Sequence, residues 1–273
     1  MTPVTAIVGD VHGMLAPLQA LLERLALGES DHLVFVGDLV DKGPDPAGVV
    51  RYLRRLNETA PFAVTLVEGN HEDRHRRYFI NKTRRPAVAF TMASAAWDLP
   101  ALDLQLSSAD RDFLAEAVPF LRVPDWNILV VHGGIPGNME QFPDTLDEAT
   151  ALRGKARGFF RQVLRTRYIA SETGKFRAYG AELPGDPFWA ERYDGRFGHV
   201  VFGHQPFIEG PACYPHATGI DTAAVHGGHL TALVLPMAGP ARFETVPAAE
   251  HRTYRHSRQP THPGNRLSLV RQP

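Results

Sequence analysis

One pattern recurs five times along this chain: a short apolar run ends in a glycine-containing turn that carries aspartate, asparagine or histidine. The runs have the length and β-branching of buried strands. The turns are Gly9–Gly13, Gly37–Gly43, Gly69–Glu72, His132–Gly134 and Gly203–Pro206. Because open α/β sheets gather ligands at the carboxyl ends of their strands, we expect the five turns to converge on one point above a sheet. Oxygen and imidazole donors at that point suit a divalent transition metal such as manganese, iron or zinc.

The turn at Gly37–Gly43 combines two carboxylates and a lysine: Asp38, Asp41 and Lys42. It follows the apolar run His32–Val36, and the prolines behind it are expected to end the strand and begin a helix. Burying a carboxylate just beyond a buried strand costs free energy unless a cation lies beside it. A bound metal ion is the simplest explanation.

Apolar residues at helical spacing predict helices over Leu15–Leu27 and Asp45–Leu56, each between two of the strand-like runs. Alternating residues predict two late strands over Leu230–Pro236 and Arg242–Val246. This alternation of strands and helices predicts an α/β fold.

The sequence divides into a predicted catalytic domain, 1–248, and a C-terminal segment, 249–273. Within the domain, the stretches at about 72–124 and 135–198 lack clear strands and are predicted as helical insertions at the edge that carries the site. The C-terminal segment has several arginines and no periodicity, which indicates a basic disordered tail. A weak contact of the tail with nucleic acid or another anion stays open, and a solvated tail is the simpler interpretation.

Both insertions contain concentrated positive charge. The first begins with Arg74–Arg85, which holds six Lys or Arg residues and is either a solvated helix face or a basic wall for phosphate-rich substrates. The second places four arginines four residues apart on one predicted helix, at Arg153, Arg157, Arg161 and Arg165. Like charges at that spacing repel, so an anion should compensate them. The candidates are a substrate phosphate or the nearby acidic residues Asp144, Asp147 and Glu148.

Composition limits the class of protein without identifying it. The formal net charge of −1 gives no global attraction to nucleic acid or to an anionic membrane. Cys213 is the only cysteine, so no intrachain disulfide can form, which fits a reducing compartment. No apolar run approaches a membrane span of roughly 18 residues. We therefore expect a cytoplasmic protein.

The five turns, in this order, resemble the signature of the phosphoprotein-phosphatase branch of the calcineurin-like metallophosphoesterase family. That branch includes the bacteriophage lambda protein phosphatase, the bacterial diadenosine tetraphosphatases and the phosphatase module of bacterial RNA-repair enzymes. The late stretches Gly219–Thr222 and Leu230–Leu233 resemble the bacterial members in particular. The resemblance runs from about Ala6 to about Leu235 and implies a β-sandwich of two mixed sheets flanked by helices.

The resemblance implies a phosphoric ester hydrolase with two divalent metal ions, Mn²⁺ in the first place and Fe or Zn as alternatives. A hydroxide shared by the two ions would attack phosphorus. Asp38 would bridge the ions, and the residues that would complete their coordination are Asp10 and His12 for one ion, and Asn70, His132 and His204 for the other.

The resemblance also assigns residues that act on the substrate. His71 would be the general acid for the leaving oxygen, and Asp41 would hold its imidazole in the right tautomer. Lys42 would neutralise charge on the phosphoryl oxygens, and Arg153 would clamp a phosphate. Asp221 would be either an extra metal ligand or an outer support.

Two departures from the family pattern bear on the substrate. Family members commonly carry arginine where this chain has Lys42, so a bidentate fork is replaced by a point charge. Symmetrical diadenosine tetraphosphatases often lack the aspartate at the position of Asp41, whose presence argues mildly against that subgroup. Nucleotide or dinucleoside polyphosphate, phosphoprotein and RNA ends all stay open as substrates. The alternative of a non-catalytic binding module predicts damage at Asp38, Asp41, Asn70 or His71, which are intact.

Overall fold

The structure, a computed structural model, describes residues 3–253 and 259–272. Its strands form two mixed five-stranded sheets, as the resemblance implies. The first sheet has the order β10-β9-β1-β2-β3, and its strands are β1 (Val4–Val8), β2 (His32–Phe35), β3 (Ala63–Leu66), β9 (His229–Pro236) and β10 (Arg242–Pro247). The second has the order β4-β5-β6-β8-β7, with β4 (Leu121–Val123), β5 (Ile128–Val130), β6 (His199–Phe202), β7 (Ala212–Tyr214) and β8 (Ala217–Gly219).

The central strands of both sheets are parallel. In the first sheet β1 pairs in parallel with β2, and β2 with β3, while β9 runs antiparallel to β1. In the second sheet β5 and β6 are parallel, as are β6 and β8. The carboxyl ends of β1, β2 and β3 therefore share one edge, and those of β5 and β6 share another.

Eight α-helices connect and flank the sheets within the described residues. They are α1 (Leu15–Leu25), α2 (Pro46–Thr59), α3 (Asn70–Arg84), α4 (Pro86–Ala95), α5 (Asp98–Asp103), α6 (Ser108–Ala115), α7 (Leu146–Ala151) and α8 (Gly154–Phe160). The predicted first helix ends two residues early, because Ala26 turns the backbone into the left-handed region at φ 46°. The predicted second helix begins after Asp45, whose carboxylate caps it by accepting the Gly48 N–H at 2.7 Å.

Side chains alternate along each strand, so each sheet buries residues on both faces. The core therefore has three layers, one between the sheets and one on the outer face of each sheet. Ile7 and Val34 of the first sheet pack between the sheets with Val130 and Val201 of the second. Their neighbours on the strands point the other way, and Val8 packs against α1 and α2. Strands that are buried on both faces read as continuous apolar runs, which is the pattern found in the sequence.

The C-terminal segment differs from the predicted disordered tail where the structure describes it. Beyond Thr253 the chain resumes at Gln259 and lies along the domain: the Cys213 N–H donates to Gly264 O at 2.9 Å, and Leu267 and Leu269 pack against the layer between the sheets. Apolar residues spaced through this arginine-rich segment give it surface to bury, although they follow neither a helical nor a strand period. Two of the tail arginines, at 255 and 258, lie outside the described residues.

The arginines predicted to lie four apart on one helix are divided between two elements. Arg157 lies in α8, and Arg161 begins a short 3₁₀ turn, Arg161–Leu164. Arg161 and Arg165 both pair with Asp73 of α3, Arg165 at 2.7 Å, and Arg161 also lies 3.2 Å from Glu68. The charge of these two is therefore compensated by Asp73 and Glu68, and not by the acidic residues just upstream or by an open phosphate site. No helix in the described residues is both long and apolar enough to cross a membrane.

Candidate active site

The five turns meet where the carboxyl edges of the two sheets face each other. Asp10 and His12 follow β1, Asp38 follows β2, and Asn70 opens α3 after β3. The second sheet supplies His132 after β5 and His204 after β6. The site is therefore shared between two sheet edges, whereas the sequence pattern alone placed it above one sheet.

Asp38 lies between two groups of donors. Its Oδ2 is 3.6 Å from His12 Nε2, and its Oδ1 is 3.3 Å from His132 Nε2. His12, Asp38 and His71 form one set of possible ligand atoms, and Asp38, His132 and His204 form a second. One carboxylate thus takes part in both sets, which is the arrangement that a pair of cations sharing an anion requires.

Asp10 and Asn70 complete the two groups. Asp10 Oδ2 lies 3.8 Å from His12 Nε2, and the same carboxylate accepts the main-chain N–H of His204 at 3.1 Å. Asn70 Oδ1 lies 3.0 Å from His132 Nε2. Every residue that the resemblance assigned to metal binding through these turns is therefore in one cluster, while its role as a ligand stays a prediction.

Hydrogen bonds to the main chain fix two of the imidazoles. His12 Nδ1 donates to Val40 O at 2.8 Å, and His132 Nδ1 donates to Val36 O at 3.0 Å. A histidine that donates from Nδ1 presents the lone pair of Nε2, so both rings offer this atom to the centre. This donor set of carboxylate oxygen, amide oxygen and imidazole nitrogen fits a divalent transition metal.

The centre carries an excess of buried negative charge. Burial, followed by the charges of Asp221 and Asp38, raises the pKa of the Asp10 carboxyl well above its usual range. The charge of Lys42 acts against this rise in the pKa of Asp10, and its ammonium donates to His12 Nε2 at 2.6 Å. Burial also raises the pKa of Asp221, whose Oδ1 accepts the Ala223 N–H at 3.0 Å. Three carboxylates around one ammonium call for further cations, which agrees with bound metal ions.

The backbone at the site is strained. His12, Asp38, Asp41, Lys42 and His204 all lie in the left-handed region, with φ of 44°, 54°, 67°, 62° and 65°. Each such conformation costs about 1–3 kcal/mol in a residue other than glycine. The surrounding contacts hold them, and strain of this kind concentrates at functional sites.

Close backbone approach explains two glycines of the turns. A Cβ on Gly203 would lie 2.0 Å from Asp10 Oδ1, and a Cβ on Gly43 would lie 1.9 Å from His12 O. Neither turn could hold a larger residue without displacing a neighbouring turn. The glycines thus let the turns from different strands touch.

Three residues of α3 hold the Asp41 carboxylate. Its Oδ2 accepts from His71 Nδ1 at 2.5 Å and from Arg74 Nη2 at 2.6 Å, and its Oδ1 accepts from His75 Nε2 at 2.7 Å. Burial alone would raise the pKa of Asp41, but the bonds from His71 and His75 hold it below its usual range. The structure therefore keeps Asp41 ionised beside the His71 ring.

Sequence reasoning missed Arg74 and His75. The sequence pattern gives His75 no role, and it marks Arg74 only as part of the basic run Arg74–Arg85. The available signal was their spacing, since positions three and four residues beyond His71 share its helix face.

Glu72 is a third residue that sequence reasoning left without a role. Its buried carboxylate accepts the N–H groups of Asp38 at 2.7 Å, Leu39 at 2.8 Å and Gly69 at 3.0 Å. Burial, with the charge of Asp38 beside it, raises the pKa of Glu72 to about 8. The side chain ties the turn after β2 to the turn after β3. The sequence feature that could have indicated this role is the position of Glu72 at the end of the Gly69–Glu72 turn.

A cavity of about 990 Å³ opens beside this cluster. Its lining includes Lys42, His71, Arg74 and Arg167. Arg153, the predicted phosphate clamp, does not line it: its side chain is exposed and donates to Thr150 O and Leu152 O at 2.5 and 2.9 Å. Its position therefore gives the predicted role no support.

Arg167, which sequence reasoning did not single out, reaches the site instead. Its guanidinium donates to His204 O and lies 5.8 Å from the centre of the Tyr179 ring. No local pattern marked it, because it follows the arginine row without belonging to that spacing.

Comparison with known proteins agrees with this geometry. The sequence profile of the family described as calcineurin-like phosphoesterase matches residues 4–230. The chain is 30% identical over 244 residues to a protein of Bacillus thuringiensis named bis(5'-nucleosyl)-tetraphosphatase PrpE, asymmetrical, covering 84% of this chain and 89% of that one. The protein of the same name from Oceanobacillus iheyensis is 28% identical over 241 residues, with 84% and 88% covered.

Solved structures show the same fold. A crystal structure of a protein provisionally assigned as a diadenosine tetraphosphatase superposes with a TM-score of 0.65 at 29% identity, covering 91% of this chain and 95% of that one. A protein serine/threonine phosphatase of Saccharomyces cerevisiae shares the fold alone, with a TM-score of 0.57 at 16% identity and 92% and 82% covered. From the family match and the cluster around Asp38, the chain belongs to the calcineurin-like phosphoesterase family and is a metal-dependent phosphatase.

Proposed function

We propose that this enzyme hydrolyses dinucleoside polyphosphates off-centre in the polyphosphate bridge, with two divalent metal ions. The observation that carries the proposal is the position of the Asp38 carboxylate, which takes part in two sets of ligand atoms beside a large cationic cavity. The names of the similar proteins supply the substrate class. The presence of Asp41 argues in the same direction, because symmetrical enzymes often lack it.

The family resemblance assigns the residues that would hold the ions, and their closeness in the cluster supports the assignment. One ion would bind Asp10, His12 and Asp38, and the other would bind Asp38, Asn70, His132 and His204. Asp221 would support the first group. Mn²⁺ is our first choice, and Fe or Zn are the alternatives. When bound, such ions supply Lewis-acid stabilisation of phosphoryl oxygens and lower the pKa of water.

His71 is the proposed general acid. Its Nδ1 is held by Asp41 at 2.5 Å, so its Nε2 faces the site, 3.8 Å from Asp38 Oδ2. In the protonated ring, Nε2 can give its proton to the leaving phosphate oxygen, while Asp41 stabilises the imidazolium and fixes its orientation.

Two cations of the chain are proposed to bind the phosphoryl oxygens. Lys42 Nζ lies at the centre of the cluster, 2.6 Å from His12 Nε2, and can turn toward a bound phosphate. Arg167 lines the cavity with a planar fork that suits phosphate. Charge that builds on the oxygens during attack is stabilised by such fixed cations. A single cysteine fits a reducing compartment, and a cytoplasmic location is part of this proposal.

The proposal is tested by a metal-by-substrate screen of the metal-stripped protein. The substrates are diadenosine tetraphosphate, p-nitrophenyl phosphate, a phosphopeptide and RNA with a terminal phosphate, each with Mn²⁺, Fe²⁺ or Zn²⁺. We expect diadenosine tetraphosphate to give the highest kcat/KM, with ATP and AMP as products. Two ADP molecules as products, or a higher kcat/KM for the phosphopeptide or the RNA, would overturn the proposed substrate.

The Asp38→Asn variant provides the matched control for the metal requirement. Losing the shared charge should weaken both ion sites, so we expect elemental analysis to find little metal and turnover to be nearly abolished. Full turnover after exhaustive chelation of the parent protein would contradict the metal-dependent proposal.

A further inference from the structure

Exposed aromatic side chains are concentrated at the cavity. In the described part of the chain, three aromatic residues are largely exposed: Phe90 at 75%, Trp97 at 80% and Tyr179 at 69%. Trp97 and Tyr179 line the cavity beside Lys42 and His71, while Phe90 does not. An exposed tryptophan keeps a large apolar surface in water. Because this one lies on the wall of a cationic cavity, it suits a ligand with an aromatic face.

The residue that follows Trp97 is linked to the proposed general acid by a chain of contacts. This residue, Asp98, is paired with Arg74, and Arg74 Nη2 lies 2.6 Å from Asp41 Oδ2. The same oxygen of Asp41 holds His71 Nδ1. The indole therefore belongs to the side of the site where His71 stands, which is the side of the leaving group in the proposed reaction.

Tyr179 belongs to a different part of the wall. Arg167 lies over its ring and bonds His204 O, so this aromatic residue is tied to the His204 side. The cavity thus presents two aromatic surfaces, and the cations Lys42, Arg74 and Arg167 also line it. Aromatic and cationic groups in this combination are how proteins bind bases and phosphates together.

We propose that Trp97 is the stacking platform for the nucleobase on the leaving-group side of the substrate. This rests on the proposed function and deepens it, since it assigns the recognition of the base to a residue of the first insertion. The ring would contribute to binding of any aromatic base attached to a polyphosphate, and it would contribute nothing to a phosphate ester without one.

Kinetics separate this role from a structural one. We expect Trp97→Ala to raise KM for diadenosine tetraphosphate about tenfold, the scale of losing one stacked base, and to leave kcat/KM for inorganic tripolyphosphate within about twofold. Trp97→Phe should restore most of the affinity. Phe90→Ala, which removes a similarly exposed ring outside the cavity, is the matched control. It should change neither KM for diadenosine tetraphosphate nor kcat/KM for tripolyphosphate.

Fluorescence tests the same contact without catalysis. Trp97 is exposed, whereas the other two tryptophans of the chain, Trp126 and Trp189, are buried at 5% and 1% exposure. ATP added to the metal-loaded protein should quench the exposed emission, and inorganic tripolyphosphate should not. The quenching should disappear in Trp97→Phe and persist in Phe90→Ala.

The outcomes distinguish the two proposals. Equal KM values for Trp97→Ala and Phe90→Ala with diadenosine tetraphosphate, or equal quenching by ATP and tripolyphosphate, would overturn the stacking role. If the parent enzyme does not cleave diadenosine tetraphosphate but ATP still quenches Trp97 selectively, the proposed substrate fails and the base site stands.

Discussion

The Glu72 carboxylate accepts the main-chain N–H of Asp38 at 2.7 Å, and so braces a residue whose backbone lies at a φ of 54°. It also holds the N–H groups of Leu39 and Gly69. A side chain of the third strand–turn unit thereby fixes the carboxylate supplied by the second. Each strained turn depends on contacts from another one.

Glu72→Gln should test this bracing. The amide keeps the shape but turns an NH₂ toward backbone donors, so at least one buried N–H loses its partner. We expect the free energy of unfolding to fall by about 1–3 kcal/mol in urea titrations, and metal affinity to fall about 10–100-fold. Glu23→Gln, on the exposed face of α1, is the control. Unchanged stability and unchanged metal affinity in Glu72→Gln would contradict the bracing role.

His71→Ala should lower turnover of diadenosine tetraphosphate by about 10²–10⁴-fold, the range for loss of a general acid. The loss should be smaller for p-nitrophenyl phosphate, because p-nitrophenol needs little protonation to leave. The metal content should stay near the parent value in elemental analysis. Loss of a metal ion from this variant would show that His71 is a ligand, and not the general acid.

Lys42→Ala should lower kcat by about a hundredfold or more, since deleting one fixed charge-stabilising donor has this scale. Lys42→Arg restores the charge and adds a planar fork, so we expect it to keep most of the activity. Both variants are compared at equal metal content, measured by elemental analysis. A near-parental kcat in Lys42→Ala would mean that the ammonium balances only the carboxylates around His12.

Arg167→Ala should raise KM for diadenosine tetraphosphate about tenfold, because the side chain lines the cavity and bonds His204 O. Arg153→Ala should leave KM unchanged, because its guanidinium is held by main-chain carbonyls away from the cavity. The two variants remove the same charge, so each is the control for the other. A larger rise in KM for Arg153→Ala than for Arg167→Ala would show that Arg153 is the residue that binds the phosphate.

His199→Gln should flatten part of the pH dependence of stability. Burial lowers the pKa of His199 to about 4, below the usual 6.5, so the unfolded state takes up the proton first. Stability is therefore lost as the pH falls from 6.5 toward 4, by about 2 kcal/mol at pH 5 relative to pH 7. Urea unfolding of chelated parent and variant at both pH values measures the difference.

His229→Gln, which changes an exposed histidine, is the control for this experiment. It should keep the full pH dependence of the parent. If the free energy of unfolding changes with pH equally in the parent and in His199→Gln, His199 does not account for this part of the pH dependence.

The sequence by itself determined the strand–turn units and the α/β class, while the division of the strands between two sheets was implied only by the family resemblance. These features are local, since an apolar run, a glycine and a following carboxylate or imidazole are adjacent in the chain. The residues after β1, β2, β3, β5 and β6 could be named for this reason, and the structure brings them together around Asp38.

Only the tertiary structure decided which side chains from outside the turns join them. Arg153 and Arg167 are alike in sequence terms, yet only Arg167 lines the cavity, because the path of the chain after α8 turns it toward His204. The ion pairs of Arg161 and Arg165 with Asp73, and the packing of the C-terminal segment, likewise join residues far apart in the chain. Such contacts depend on how the insertions fold back over the sheets, which neither spacing nor composition encodes locally.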